Sequence, residues 1–395
     1  MLDVARHFHT AAEVMDLLTL MALFKLNRFH WHLSDDQGWR FPVDSWPNLA
    51  DFGQWRDAAL SDKDANDKGD VTPERYGGMY TKEEIRDVVN YAKALFIEVI
   101  PEIDFPGHVQ AAIASYPELG NSDIDGWRPP AVANLFGQLN FTLSPSSDSF
   151  AFIKDVIDEE AKQFPSKYIH IGGDEVSTVQ WQASMRARQY AQAQGLDANI
   201  SLVDLQSAFH RAGIEGATMN GRTPVVWEEA ASSSLSHRLP QKAVVMKWLV
   251  FGFDEIVEST RNLTSRGYDV VLCPHHFTYL DQAPGYLNLK RAYSMPMPES
   301  HGRGRVLGGQ AQIWTEYIKD AETLDFMAWP RTSALAERFW MGGYAGADFD
   351  DFTERLIPRL AELKLMGVRF RPEFSIDKQV KALYSSRRDA AKAYA

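Results

Sequence analysis

A chain of 395 residues that is 45% hydrophobic and 24% charged has the composition of an ordinary globular protein. Its net charge of −12 argues against a nucleic-acid partner, whose phosphates need a basic face. No stretch approaches the ~20 unbroken apolar residues of a membrane helix, and a single cysteine, Cys273, excludes an intramolecular disulfide framework.

Short β-rich runs alternate with helical patterns along the whole chain. Strands are expected at residues 1–6, 28–33, 96–103, 168–173, 224–229, 243–248, 269–274 and 306–314. Between them apolar residues recur at helical spacing, over 11–25, 81–95, 149–164, 201–213 and 253–267. The second of these opens on Thr81 with Glu84 three residues on, a capping-box pattern, and the last closes on Gly267. Eight strands alternating with helices read as an α/β fold, a (β/α)8 TIM barrel. Its long loops, 40–80, 117–148 and 274–305, follow strands, where barrels build their active sites. No linker rich in Pro, Gly or Ser divides the chain. The reading is one barrel over 1–375 and a C-terminal helical tail over 376–395. The start "MLDVARHF" has no basic region followed by an apolar core, so no signal peptide is visible.

The C-terminal ends of barrel strands converge on one mouth. Arg6 follows the first strand, Asp35 and Asp36 the second, and Glu102, Asp104 and His108 the third. Asp174 and Glu175 follow the fourth, Trp227 and Glu228 the fifth, and Trp248 the sixth. Tyr279 and Asp281 come after the seventh, and Trp314 and Glu316 end the eighth. This recurrence of acids and aromatics suits a sugar. Carboxylates accept hydroxyl groups, and indole faces stack on the apolar face of a pyranose.

Two features need weighing. Asp174 and Glu175 are neighbours after Gly172 and Gly173, whereas the common retaining glycosidase flanks its bond with carboxyls about 5 Å apart. Residues from one strand end approach a sugar from one side. The pair could instead be plain helix N-terminal acids, and the glycines are read as leaving room for a sugar. The second feature is the spacing of His7 with His9 and of His30 with His32, which puts each pair on one strand face, as in metal-dependent barrels. The fifth and sixth strands end in "VVWEE" and "MKW" without histidine, so the histidines are read as structural and neither metal nor cofactor is expected.

The segments "LDVARHF", "HWHLSDDQGWR", "YGGMYTKEEIRDVVNYA", "VIPEIDFPGH", "YPELG", "HIGGDEV", "VVWEE" and "GGQAQIWTEY" stand in an order that resembles glycoside hydrolase family 20, the β-N-acetylhexosaminidases. The likeness runs to "LKLMGVRFRPE" near residue 373. It implies retaining exo-hydrolysis of a terminal β-linked N-acetylglucosamine or N-acetylgalactosamine from glycans or chitooligosaccharides, with neither nucleic acid nor membrane as partner. Glu175 matches the general acid, and Asp174 the residue that holds the substrate acetamido group. Arg6, Asp35 and Glu316 match residues gripping the sugar hydroxyls; Trp227, Trp248 and Trp314 match aromatic walls. Tyr279 and Asp281 match a further pair on the acetamido group and sugar, while His108 and Asp104 match a pair supporting the acid. The small α/β domain that often precedes the barrel in this family is expected to be absent.

In such enzymes the nucleophile is the substrate's own acetamido oxygen, which explains adjacent acids. Mutual repulsion is expected to keep Glu175 protonated while Asp174 is charged. Trp127, in a long loop, is a candidate for an outer subsite. Two rivals remain: a family member releasing disaccharides, and a non-catalytic glycan-binding barrel.

Overall fold

The computed structural model describes residues 1–59, 75–195, 202–231, 243–249, 252–342, 346–373 and 377–393. Eight strands form one parallel sheet in chain order: β1 (Leu2–Asp3), β2 (Arg28–His32), β3 (Glu98–Glu102), β4 (Tyr168–His170), β5 (Thr223–Trp227), β6 (Val244–Lys247), β7 (Asp269–Leu272) and β8 (Val306–Gly309). The sheet closes on itself. Leu2 bridges Ile313, the Asp3 N–H donates to the Ile313 carbonyl at 3.0 Å, and the Ile313 N–H donates to the Met1 carbonyl at 3.1 Å. The expected barrel is therefore present, with strands shorter than their apolar runs. β4 stops at His170 because Gly172 and Gly173 turn to φ +62° and +103°, outside the extended region.

Helices α1 (Ala11–Leu23), α2 (Lys82–Ala94), α3 (Ser147–Gln163), α4 (Gln206–Met219) and α5 (Phe253–Ser265) pack outside the sheet. The Thr81–Glu84 capping box forms as expected, and α2 buries Ile85, Val88, Val89 and Ala92 at helical spacing. Between β5 and β6 the described residues hold one helical turn, Glu228–Ala231. Two short helices, His275–Thr278 and Leu289–Tyr293, lie between β7 and β8. After β8 come Ala321–Ala328 and Arg331–Met341, then Phe349–Leu365 packed against Asp377–Ala393.

The long loop after β2 carries structure that the hydropathy pattern did not announce. Ser34–Asp35 pairs with Gly38–Trp39, and Trp55–Asp57 with Arg75–Gly77; residues 60–74 lie outside the described part. The buried guanidinium of Arg40 ties this loop to the first strand. It donates to the carbonyls of Val4 at 2.9 Å, Ala5 at 2.6 Å, Gln54 at 2.7 Å and Gly78 at 2.9 Å. Four backbone-directed hydrogen bonds from one planar guanidinium make this clamp rigid. It fixes the position of Asp35 relative to Arg6. Cys273 is fully buried inside the barrel beside Val225, Trp227, Val244 and Met246.

Candidate active site

The mouth is assembled from the strand ends inward. Asp3, at the end of β1, accepts the N–H groups of Ala5 at 2.8 Å and Arg6 at 3.2 Å, which turns the chain and aims Arg6 into the mouth. The Arg6 guanidinium lies 2.8 Å from Asp35 Oδ2, donates to Gln37 Oε1 at 3.1 Å and rests 5.0 Å from the Trp314 ring. Burial opposes ionisation of Asp35, but Arg6 and then His108 outweigh it and hold the carboxyl well below its usual range.

His108 connects this group to the paired acids. Its Nδ1 lies 3.1 Å from Asp35 Oδ1 and 3.6 Å from Asp36 Oδ2, while its Nε2 lies 3.6 Å from Glu175 Oε2 and 4.0 Å from Asp174 Oδ2. Burial works against its charged form, yet Asp35 prevails and raises its pKa well above the usual histidine value. Asp174 is buried and Glu175 is 41% exposed at its side chain. Burial raises Asp174, moderated by His108, whereas Glu175 is lowered chiefly by its interaction with His108. These shifts run against the expected ordering, in which Glu175 is the proton holder and Asp174 the charged partner. The physical reason is the imidazolium of His108, which outweighs repulsion between neighbouring carboxylates. Asp104, raised well above the carboxylate range by burial and then by Asp174, is the neutral acid of the group.

The glycine pair also departs from expectation. A Cβ at Gly172 would meet Asp104 Oδ1 at 1.8 Å, and one at Gly173 would meet His210 Nε2 at 2.4 Å. These glycines make room for the protein's own carboxyl and imidazole, not for a sugar. The Gly173 N–H donates to Asp104 Oδ1 at 2.7 Å, which holds Asp104 beside Asp174.

Four aromatic rings form a continuous arc around the other side. Trp227 and Trp314 have centroids 6.1 Å apart, Trp314 and Tyr279 6.1 Å, and Tyr279 and Trp248 6.1 Å with planes at 23°. Two indoles are anchored by acids: Trp227 Nε1 donates to Glu102 at 2.8 Å, and Trp248 Nε1 to Glu229 at 3.0 Å. Burial keeps the Tyr279 phenol protonated, and it raises Asp281, with help from Glu316, to about 7. Glu316 is itself raised by burial, against the pull of Arg6.

Comparison with known proteins decides the family. Residues 1–343 match the model of glycosyl hydrolase family 20, catalytic domain. The chain belongs to that family. A β-hexosaminidase of Porphyromonas gingivalis is 34% identical over 387 residues, covering 94% of this chain and 46% of the relative. One from Vibrio furnissii is 36% identical over 356 residues, covering 85% and 55%. The crystal structure of a family 20 exo-β-N-acetylglucosaminidase from Vibrio harveyi in complex with N-acetylglucosamine aligns with TM-score 0.80 and 34% identity, over 94% of this chain and 58% of that one. The chain thus spans about half the length of these relatives.

In this family 20 domain, the twelve residues that the resemblance assigned to the site stand at strand ends or in the loops after them. Trp127, the candidate for an outer subsite, is half-buried and packs against the core, close to Gly120. The paired histidines face inward. His30 Nε2 lies 2.9 Å from Glu102, His32 bonds the same carboxylate through Nδ1, and His9 Nε2 lies 3.3 Å from the Ile318 carbonyl. Glu228, directly after β5 as expected, has its carboxylate engaged by Lys247 Nζ at 2.5 Å and the Trp248 N–H at 2.9 Å. Residues that the sequence reading passed over are Asp3, Gln37, Glu229 and Gln138, whose amide donates to the Glu175 carbonyl. Glu229 was announced only as the second acid of "VVWEE"; Gln138 carries no signal in an irregular loop.

Proposed function

We propose that the domain is a retaining exo-β-N-acetylhexosaminidase, removing terminal non-reducing β-linked N-acetylglucosamine or N-acetylgalactosamine by substrate-assisted catalysis. One observation carries this reading. Buried Asp174 and half-exposed Glu175 are neighbours on one strand end, 4.0 and 3.6 Å from the same His108 Nε2, and so approach a sugar from one side rather than flanking its glycosidic bond as acid and nucleophile. The Asp174 carboxylate is then placed to accept a donor from the occupant. The N–H of a 2-acetamido group supplies it, and that bond turns the acetamido carbonyl oxygen toward the anomeric carbon.

The chemistry then follows. The carbonyl oxygen bonds to the anomeric carbon as the glycosidic bond breaks, and Glu175 gives its proton to the leaving oxygen. Asp174 stabilises the positive charge on the oxazolinium-like ring, with Tyr279 as donor to the carbonyl oxygen. Water next attacks the anomeric carbon on the face the leaving group left, Glu175 takes its proton, and the ring reopens with net retention. Intramolecular attack contributes up to roughly 10 kcal/mol when geometry is enforced; the aromatic arc does the enforcing. Entry of the sugar strips water from Glu175, which raises its pKa so that the bound complex holds the proton the acid needs. Arg6, Asp35 and Glu316 are left to grip the outer hydroxyls.

The test is a substrate panel. Aryl β-N-acetylglucosaminide and its galactosamine counterpart should turn over, and the aryl β-glucoside lacking the acetamido group should be slower by about 10³-fold or more. Comparable rates on the glucoside would sink the assisted mechanism.

A further inference from the structure

One buried carboxylate beneath the pocket touches two of its working parts. Glu102, at the end of β3, is fully buried. Its Oε1 accepts Trp227 Nε1–H at 2.8 Å and lies 2.9 Å from His170 Nδ1. Its Oε2 lies 2.9 Å from His30 Nε2 and bonds His32 Nδ1. Asp104, Asp174 and the α3 residue Glu160 also act on it electrostatically.

The contact with His32 continues upward. His32 uses its other nitrogen, Nε2, for Asp35 Oδ2 at 3.0 Å; Asp35 Oδ1 takes His108 Nδ1 at 3.1 Å; His108 Nε2 reaches Glu175 Oε2 at 3.6 Å. Carboxylate and imidazole alternate from Glu102 to Glu175, each charge facing its opposite. An imidazole with carboxylates at both nitrogens holds both protons. Burial notwithstanding, His32 is raised to about 10, mainly by Glu102.

We infer that Glu102 is a positioning residue of the reaction, acting on the sugar wall through Trp227 and on the acid Glu175 through His32, Asp35 and His108. This rests on the hexosaminidase reading of the mouth. Neutralising Glu102 weakens the hold of His32 on its second proton. Asp35 is then less compensated, His108 binds its proton more tightly, and Glu175 of the free enzyme is driven further toward its ionised form.

Two variants separate the arms. Glu102→Gln keeps an acceptor for Trp227 but removes the charge, so KM should stay near the parent value while the basic limb of kcat/KM moves to lower pH. Glu102→Met removes both, so the limb should move and kcat/KM should also fall about tenfold or more through KM, because the indole loses its anchor. A purely structural role would lower thermal stability and leave KM and the limb of the folded enzyme unmoved; that result in both variants overturns the inference. If neither variant folds, His32→Gln tests the relay with Trp227 still anchored, and an unmoved limb there is equally fatal. Histidine ring ¹⁵N NMR of His108 gives a readout independent of turnover. Should the parent protein cleave no aryl N-acetylhexosaminide, the activity reading fails, and an unchanged His108 titration in Glu102→Gln separately refutes the relay.

Discussion

His108 Nε2 lies 3.6 Å from Glu175 Oε2, and both residues hold left-handed backbone, with φ of 53° and 48°. Such conformations cost a non-glycine residue roughly 1–3 kcal/mol each and persist only where surroundings over-determine them. Here the surroundings are the Asp35 contact to His108 and the Gln138 bond to the Glu175 carbonyl. Strain on both partners of one contact marks that contact as the point the local fold is built to deliver.

The contact has a signature in pH dependence. kcat/KM reports the free enzyme and kcat the substrate complex. Glu175 is lowered by His108 in the free site, and burial under a bound sugar raises it. The acid must be protonated to act, so the basic limb of kcat should lie at higher pH than that of kcat/KM. Full profiles of both constants check this; coincident basic limbs would contradict it.

Removing each acid should give distinct losses. Asp174→Asn loses transition-state charge stabilisation and should cost about 10²–10³ in kcat on any N-acetylhexosaminide. Glu175→Gln should cost about 10²–10⁴ on natural disaccharides and far less on aryl glycosides with acidic leaving groups. Steady-state kinetics on both substrate types decides the matter, and equal losses for Glu175→Gln on both would remove it from the acid role.

Gly172→Ala is expected to damage chemistry as well as fold. A left-handed residue with a side chain costs roughly 1–2 kcal/mol. Gly221, at φ +70° with nothing within 4 Å of its would-be Cβ, measures that cost alone. At Gly172 the methyl also meets Asp104, so stability should fall further than in Gly221→Ala, and kcat should drop about tenfold or more as Asp104 leaves Asp174. Urea unfolding beside kinetics tests the pair of variants; equal behaviour would refute the clash.

Glu160 on α3 is buried with neither carboxylate oxygen hydrogen-bonded, and burial raises it well above the usual glutamate value. The folded state therefore holds a proton that the unfolded chain releases above its own pKa near 4.5. Below that value the group adds only the cost of a neutral, unpaired carboxyl, and stability is lost further as pH rises toward the folded pKa. Glu160→Met should stabilise by about 1–3 kcal/mol at neutral pH, and by less near pH 4.5. Urea titrations at both pH values measure the difference; a gain independent of pH would count against a buried, protonated Glu160.

Parallel strands buried on both faces read as short apolar runs, which is why all eight barrel strands and the acids behind them were legible. Their lengths were not, because β4 ends on the backbone angles of Gly172 rather than on a change of hydropathy. The ordering of Asp174 and Glu175 escaped for a related reason. It depends on where the ring of His108 points, and a ring orientation set by Asp35 from another loop leaves no periodic trace. The packing of Trp127 on the core was not legible either, because an aromatic in a long loop looks the same in sequence whether it faces core or solvent.

The aromatic arc has one more consequence. Trp227, Trp314, Tyr279 and Trp248 touch in series with neighbouring centroids about 6.1 Å apart, close enough for excitation to pass from ring to ring before emission. The pocket is therefore a single composite fluorophore, distinct from isolated indoles such as the exposed Trp340. A sugar seated against any one ring should change the light emitted by the set, so sugar binding can be tested in unlabelled protein, with inactive variants as readily as with active ones.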